Sequence, residues 1–287
     1  MKGKIPILFS LLFYTINIFG QDNLITETSK YKTYKTMTYS IGYSHFRIQD
    51  IQVSPFVYKS NNIPIGIGYA NHKDKGIFSL DFFLSYGSIK NKTFSDRTFS
   101  KSETNNEGEQ IAETYEMGNF PIIQEGIRVT YLQKTNLVKN NKYNLYFGTG
   151  INQYFLLSFT TVPIFVVSEI TLNPTAYLTY NLNEKSAISS SLSFPIAGIM
   201  SRLPYSNDPA DGKHGELIGV YTTGSKFSQP ANYQKVNFSM EYIRQLSERW
   251  QVSFDYGFQW LHYSANRGVK AYNNQFSIHF IKKFKTK

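Results

Sequence analysis

Trp250-Gln251-Val252-Ser253-Phe254-Asp255-Tyr256-Gly257-Phe258-Gln259-Trp260 decides the fold of this 287-residue chain. Every second residue is large and apolar or aromatic, and the residues between are Gln, Ser, Asp and Gly. Successive side chains of a strand point to opposite faces, so this segment has one apolar face and one polar face. A helix would scatter the same residues around its circumference.

The same period extends in both directions. Large side chains alternate with small or polar ones in 36–46, 62–70, 77–90, 119–134, 142–156, 168–181, 186–200, 234–245, 249–263 and 271–284, which predicts ten strands. Phe78, Leu80, Phe82, Leu84 and Tyr86 form one such face, and Tyr143, Leu145, Phe147 and Ile151 another. Gly, Ser, Thr and Asn dominate the opposite faces. The connections 71–76, 135–141, 182–185 and 246–248 are short, whereas 47–61, 91–118, 157–167 and 201–233 are longer. Short turns on one side and long loops on the other are the pattern of an antiparallel up-and-down transmembrane β-barrel. That pattern predicts both termini on the periplasmic side. Tyr69, Tyr131, Tyr143, Tyr180, Tyr242 and Trp250 share the apolar parity and cluster at the short-turn ends, as an aromatic girdle does. A soluble sandwich would turn its apolar face inward, and a closed ten-stranded barrel has no room inside for so many rings.

Composition narrows the class. Aromatics are 16% and charged residues 17% of the chain, which argues against disorder. There is no Cys, which excludes disulfides, thiol nucleophiles and Cys-ligated metals. Lys2 and Lys4 precede an uncharged run from Ile5 to Phe19, followed by Gly20 and the polar Gln21-Asp22-Asn23. This is the pattern of a signal peptide, 1–20, cleaved after Gly20. Loss of Lys2 and Lys4 lowers the formal net charge from +10 to +8. The expected organisation is then a periplasmic segment 21–35, a barrel 36–284 and a tail 285–287.

These features together resemble the single-domain outer-membrane β-barrel proteins of Bacteroidota-type bacteria. The Gln-Asp-Asn start and the Asn/Lys/Tyr/Phe-rich composition carry the likeness. The last strand, Phe276–Phe284, resembles the C-terminal assembly signal of such barrels, with Lys285-Thr286-Lys287 after the usual terminal aromatic. The resemblance implies an integral outer-membrane protein and names no activity.

Several residues are candidates for chemistry. Asp81, Arg128, Glu169, Lys235, Glu241 and Asp255 have inward parity and predict a lumen charge network. Glu241 and Asp255 flank the 246–248 turn and should be cross-strand neighbours. Arg128 is expected to pair with one of them. Such a network is either an ion or proton site or a salt-bridged plug.

His262 and Ser264 share one face near the long-loop rim, where a His can serve a Ser nucleophile. The segment His262-Tyr263-Ser264 resembles the His-x-Ser-Asn motif of outer-membrane lipid A 3-O-deacylases, which implies an acyl hydrolase working from the lipid side. Here Ala265-Asn266 follows, and no Asp or Glu occurs after Asp255 to orient the His. Asn274 and Gln275 are the polar substitutes. The plain alternative is a girdle His beside a loop Ser.

In 201–233, Asp208, Asp211 and His214 resemble half of the rim site of omptin proteases, without the second acidic pair. The acid-rich 102–118 fits no Ca²⁺ loop. Basic residues such as Lys73, Lys134, Lys185 and Lys282 gather near the short-turn rim, where lipid headgroups lie. They form no nucleic-acid patch.

The leading expectation is therefore a non-enzymatic surface protein whose loops 91–118 and 201–233 meet a partner or ligand. An acyl hydrolase and a small pore are the alternatives. Outer-membrane lipids, lipopolysaccharide included, are the expected partners, and nothing in the pattern calls for a cofactor or metal.

Overall fold

The computed structural model describes residues 33–51, 55–91, 98–104, 110–116, 120–135, 142–158, 165–202, 221, 224–264 and 268–285. Its strands are β1 (Tyr34–Asp50), β2 (Tyr58–Lys73), β3 (Gly76–Lys90), β4 (Thr98–Thr104), β5 (Gln110–Glu116), β6 (Phe120–Lys134) and β7 (Tyr143–Ser158). They continue as β8 (Phe165–Asn183), β9 (Ser186–Ser193), β10 (Ala197–Arg202), β11 (Ser225–Ser228), β12 (Tyr233–Gln245), β13 (Trp250–Tyr263) and β14 (Val269–Lys285).

Ten of these close a ring, each antiparallel to its neighbours, in the order β8-β7-β6-β3-β2-β1-β14-β13-β12-β9 and back to β8. The first and last strands form a complete seam, from Tyr34 opposite Lys285 to Asp50 opposite Val269. Following the ladder from Asn273 through Gln259, Asn237, Ser193, Thr175, Gly148, Leu132, Ile77, His72 and Tyr34 returns to β14 at Lys285. The stagger is 285 − 273, or 12 residues. A stagger of this size goes with strands tilted by about 35–45° to the barrel axis.

The outside is apolar. Phe82, Phe147 and Phe254 are 41%, 46% and 54% exposed, and Tyr39, Ile41, Ile65, Leu80, Ile151, Ile170, Phe276 and Phe280 are exposed with them. A belt of this kind around a closed barrel is a membrane-spanning surface. Among the described residues no helix is long and apolar enough to cross a membrane.

The structure departs from the sequence-based strands at three places. Residues 186–200 are not one uninterrupted strand. Leu192 lies opposite Ala176 and Ala197 opposite Leu172, so five steps on one side match four on the other. The extra residue makes a β-bulge at Phe194-Pro195-Ile196, where Pro195 has no N–H to give to the ladder. The expected loop 91–118 contains the β4–β5 hairpin, a two-stranded sheet separate from the barrel sheet. The expected loop 201–233 contains β11, which extends the wall by pairing with β10. The segments 1–32, including the expected signal peptide, lie outside the described residues.

Candidate functional site: the barrel lumen

The inward faces divide into two halves. At the long-loop end they carry Phe46, Ile48, Ile89, Ile122, Leu156, Val167, Met200, Tyr233, Leu261, Tyr263, Val269 and Ala271. These pack into one buried cluster, with Tyr58, Phe120 and Tyr154 against it. Eight of the ten ring strands contribute buried residues directly, β2 adds Tyr58 against the cluster, and β9 contributes through its continuation β10. The expectation of a polar inner face throughout is therefore corrected: the mouth is filled with side chains as a small soluble core is.

Two ion pairs are embedded there. Glu169 accepts from both Tyr233 and Lys235. The Glu169 and Lys235 side chains are 0% and 4% exposed, and the Lys235 ammonium lies 5.3 Å from the Tyr154 ring centroid. Arg202 pairs with Asp50, also buried, and lies 5.8 Å from the Tyr263 ring centroid. Charges so far from water persist only when paired and hydrogen-bonded.

Below this layer the inward faces become polar. Arg128 faces Asp81 directly across β6 and β3, and its Nε lies 3.3 Å from Asp81 Oδ2. Their side chains are 58% and 37% exposed, so the pair is solvated. This corrects the expected pairing of Arg128 with Glu241 or Asp255. Glu241 and Asp255 are cross-strand neighbours on β12 and β13. Glu241 accepts hydrogen bonds from Ser189 Oγ at 3.1 Å, from Ser253, and from His279 Nδ1 at 3.3 Å. His279 is thus the basic partner of Glu241 in this group, a role the sequence reading did not assign. The wall is brought close by small residues: a Cβ at Gly126 would collide with the ring of Phe83, which lies over it.

The girdle residues stand at the short-turn ends. Tyr131, Tyr242 and Trp250 are exposed, and Tyr69 is half-buried. Tyr143 and Tyr180 stack with ring centroids 4.6 Å apart. Lys282 lies 5.5 Å from the Trp250 ring centroid.

At the opposite rim, His262 faces Gln234 and Lys270 across the sheet, neither of which is an acid. Ser264 Oγ donates to the Asn232 carbonyl at 3.4 Å. Asn274 accepts from Tyr256 at 2.9 Å and is four residues along β14 from Lys270, the residue opposite His262. Gln275 is occupied with Ser277 at 3.0 Å. Among the described residues, no group stands behind His262 to fix its tautomer, as nucleophilic catalysis through a His requires. Asp208, Asp211 and His214 lie outside the described residues.

The fold and lumen define a class: a closed, ten-stranded transmembrane β-barrel whose long-loop mouth is filled. No family model and no curated protein sequence matches the chain. Among solved structures it is similar to the outer membrane protease OmpT from Escherichia coli, with a TM-score of 0.48 at 9% identity over 91% of this chain and 100% of the other. It is similar also to the outer membrane protein OprG from Pseudomonas aeruginosa, with a TM-score of 0.32 at 9% identity over 89% and 98% of the two chains. The attachment invasion locus protein Ail of Yersinia pestis, solved with the heparin analogue sucrose octasulfate, gives a TM-score of 0.31 at 9% identity over 86% and 98%.

Proposed function

We propose that this protein is a non-enzymatic integral protein of a bacterial outer membrane. In this reading its short turns face the periplasm, and its loops 91–118 and 201–233 contact an external partner or ligand. The barrel serves as a sealed pedestal for those loops and carries no solute.

One observation carries the reading: the apolar cluster from Phe46 to Ala271 fills the long-loop mouth, with the Glu169–Lys235 and Arg202–Asp50 pairs embedded in it. A conducting barrel keeps its interior polar and water-filled from end to end. The β4–β5 hairpin within 91–118 adds a sheet separate from the barrel sheet, and a sheet edge is one kind of surface to which a partner strand can add.

The test is conductance. Purified barrel inserted into planar bilayers should give no resolved single-channel steps. Steady ion conduction by the wild type would overturn the sealed-pedestal reading. Met200→Gly, which opens a gap in the cluster, should raise conductance above the wild-type baseline.

A further inference from the structure

A row of cations crosses the outer wall at the long-loop edge of the apolar belt. Lys90 on β3 stands directly opposite Lys59 on β2, and Lys59 directly opposite Arg47 on β1. All three have the outward parity of their strands; Lys59 and Lys90 are exposed and Arg47 is half-buried. Exposed Lys270 on β14, one step nearer the rim than Tyr272, adds a fourth charge.

Neighbouring strands are about 4.8 Å apart, and like charges directly opposite one another destabilise a sheet. Here three stand in succession, and none has an ion pair with a carboxylate among the described residues. Glu125, an acid of outward parity on β6, faces Leu84, six residues from Lys90 along β3. That separation is roughly 20 Å.

Arg47 is also held in place. Its Nε donates to His45 Nε2 at 2.9 Å, so His45 carries its hydrogen on Nδ1, which donates to Asn61 Oδ1 at 2.9 Å. The guanidinium lies 5.6 Å from the Tyr272 ring centroid. A planar guanidinium fixed in this way is suited to phosphate.

Toward the membrane the chemistry changes in register. Below the cations comes the uncharged row Ser88, Asn61, His45 and Asn274. Below that come Tyr86, Ile63, Tyr43 and Phe276, all exposed. Cations, then hydrogen-bonding groups, then apolar wall match an amphiphile with phosphates at the rim and acyl chains along the barrel. The cations spread over four strands, about 14 Å, which is too wide for one phosphate. The polar row offers partners for sugar hydroxyls. The short-turn edge differs: Asp74 lies between Lys73 and Lys75, Glu184 precedes Lys185, and Glu248 precedes Arg249.

Building on the orientation proposed above, we infer that Arg47, Lys59, Lys90 and Lys270 bind the phosphates of an outer-leaflet glycolipid of the lipid A class. The anion removes the repulsion that the bare row imposes on β1, β2 and β3.

The experiment uses the whole barrel refolded in neutral detergent. Four probes are added separately: bis-phosphorylated lipid A, its dephosphorylated form, phosphatidylglycerol and inorganic phosphate. Native mass spectrometry reads retention for the wild type, the triple variant Arg47→Gln/Lys59→Gln/Lys90→Gln and the short-turn control Lys134→Gln/Lys185→Gln. Wild type and control should retain lipid A, and the triple variant should hold it about a hundredfold less tightly. The dephosphorylated lipid and free phosphate should bind the wild type no better than lipid A binds the triple variant.

Phosphatidylglycerol held as tightly as lipid A would overturn the glycolipid assignment, and undiminished retention by the triple variant would overturn the site. In detergent alone the triple variant should melt at or above the wild-type Tm, because repulsion is relieved, and lipid A should raise the Tm of the wild type only. If the triple variant does not fold, Lys59→Gln alone should weaken retention about fivefold, and no change would count against the site. Failure of the wild type to insert into vesicles would count against the membrane reading. Normal insertion with undiminished lipid A retention by the variant would count against this inference alone.

Discussion

The two halves of the lumen use charge in opposite ways. At the long-loop end, Glu169 and Lys235 are sealed among aromatic and aliphatic side chains, where each ion depends on the other. Toward the short turns, Arg128 and Asp81 form a comparable pair that water also reaches. Chemistry is the same in both pairs, and surroundings set the cost of breaking each. A buried ion left without its partner is strongly destabilising, whereas a solvated pair contributes little.

The largest effect should therefore come from Glu169→Ala, which strands Lys235 in the packed mouth. It should lower unfolding stability by about 3–5 kcal/mol, measured by urea titration in lipid vesicles. The double variant Glu169→Leu/Lys235→Met should regain most of that loss. A single variant as stable as the wild type would break the contrast between the halves.

Next in size is Met200→Ala, which leaves a void in the cluster and should cost about 2–5 kcal/mol. Ser191→Ala on the polar wall below, which loses one hydroxyl hydrogen bond to Ser239, should cost about 0.5–1.5 kcal/mol. Equal losses at the two sites would mean that the mouth is not packed as a core.

The smallest expected effect is at Arg128. Replacing it with Met should change stability by about 1 kcal/mol or less, in the same titration. A loss comparable to that of Glu169→Ala would show that the lower lumen is as dry as the upper.

Much of this was legible in the sequence, for a physical reason. A lipid-facing surface is apolar over most of its span, and the outward parity of Phe78 to Tyr86 or Trp250 to Trp260 has no gaps. The filled mouth was harder to see. Its inward residues sit where both faces are apolar, and there the alternation dissolves into the doublets Ile122-Ile123, Leu156-Leu157 and Val166-Val167. Those doublets at strand ends were the available signal.

Pairing was legible where a tight turn fixes the register. The 246–248 turn sets Glu241 against Asp255. The long connection 91–118 fixes nothing of the kind between β3 and β6, so Asp81 as the partner of Arg128 emerged only from the folded wall. His279 was missed for a similar reason: it is brought to Glu241 from β14, with β13 standing between them.

The complete seam between β1 and β14 sets a schedule for assembly. The first barrel strand to leave the ribosome has its second edge covered only by the last, from Tyr34 against Lys285 onward. Until β14 arrives, β1 presents unpaired backbone amides and carbonyls beside an apolar face, a template for pairing with other chains. Contacts so distant in sequence form slowly, because the intervening chain must be ordered before they can add stability. This barrel therefore has no closed intermediate to rest in, and its first strand must be kept from other partners for the whole time that the rest is made and delivered.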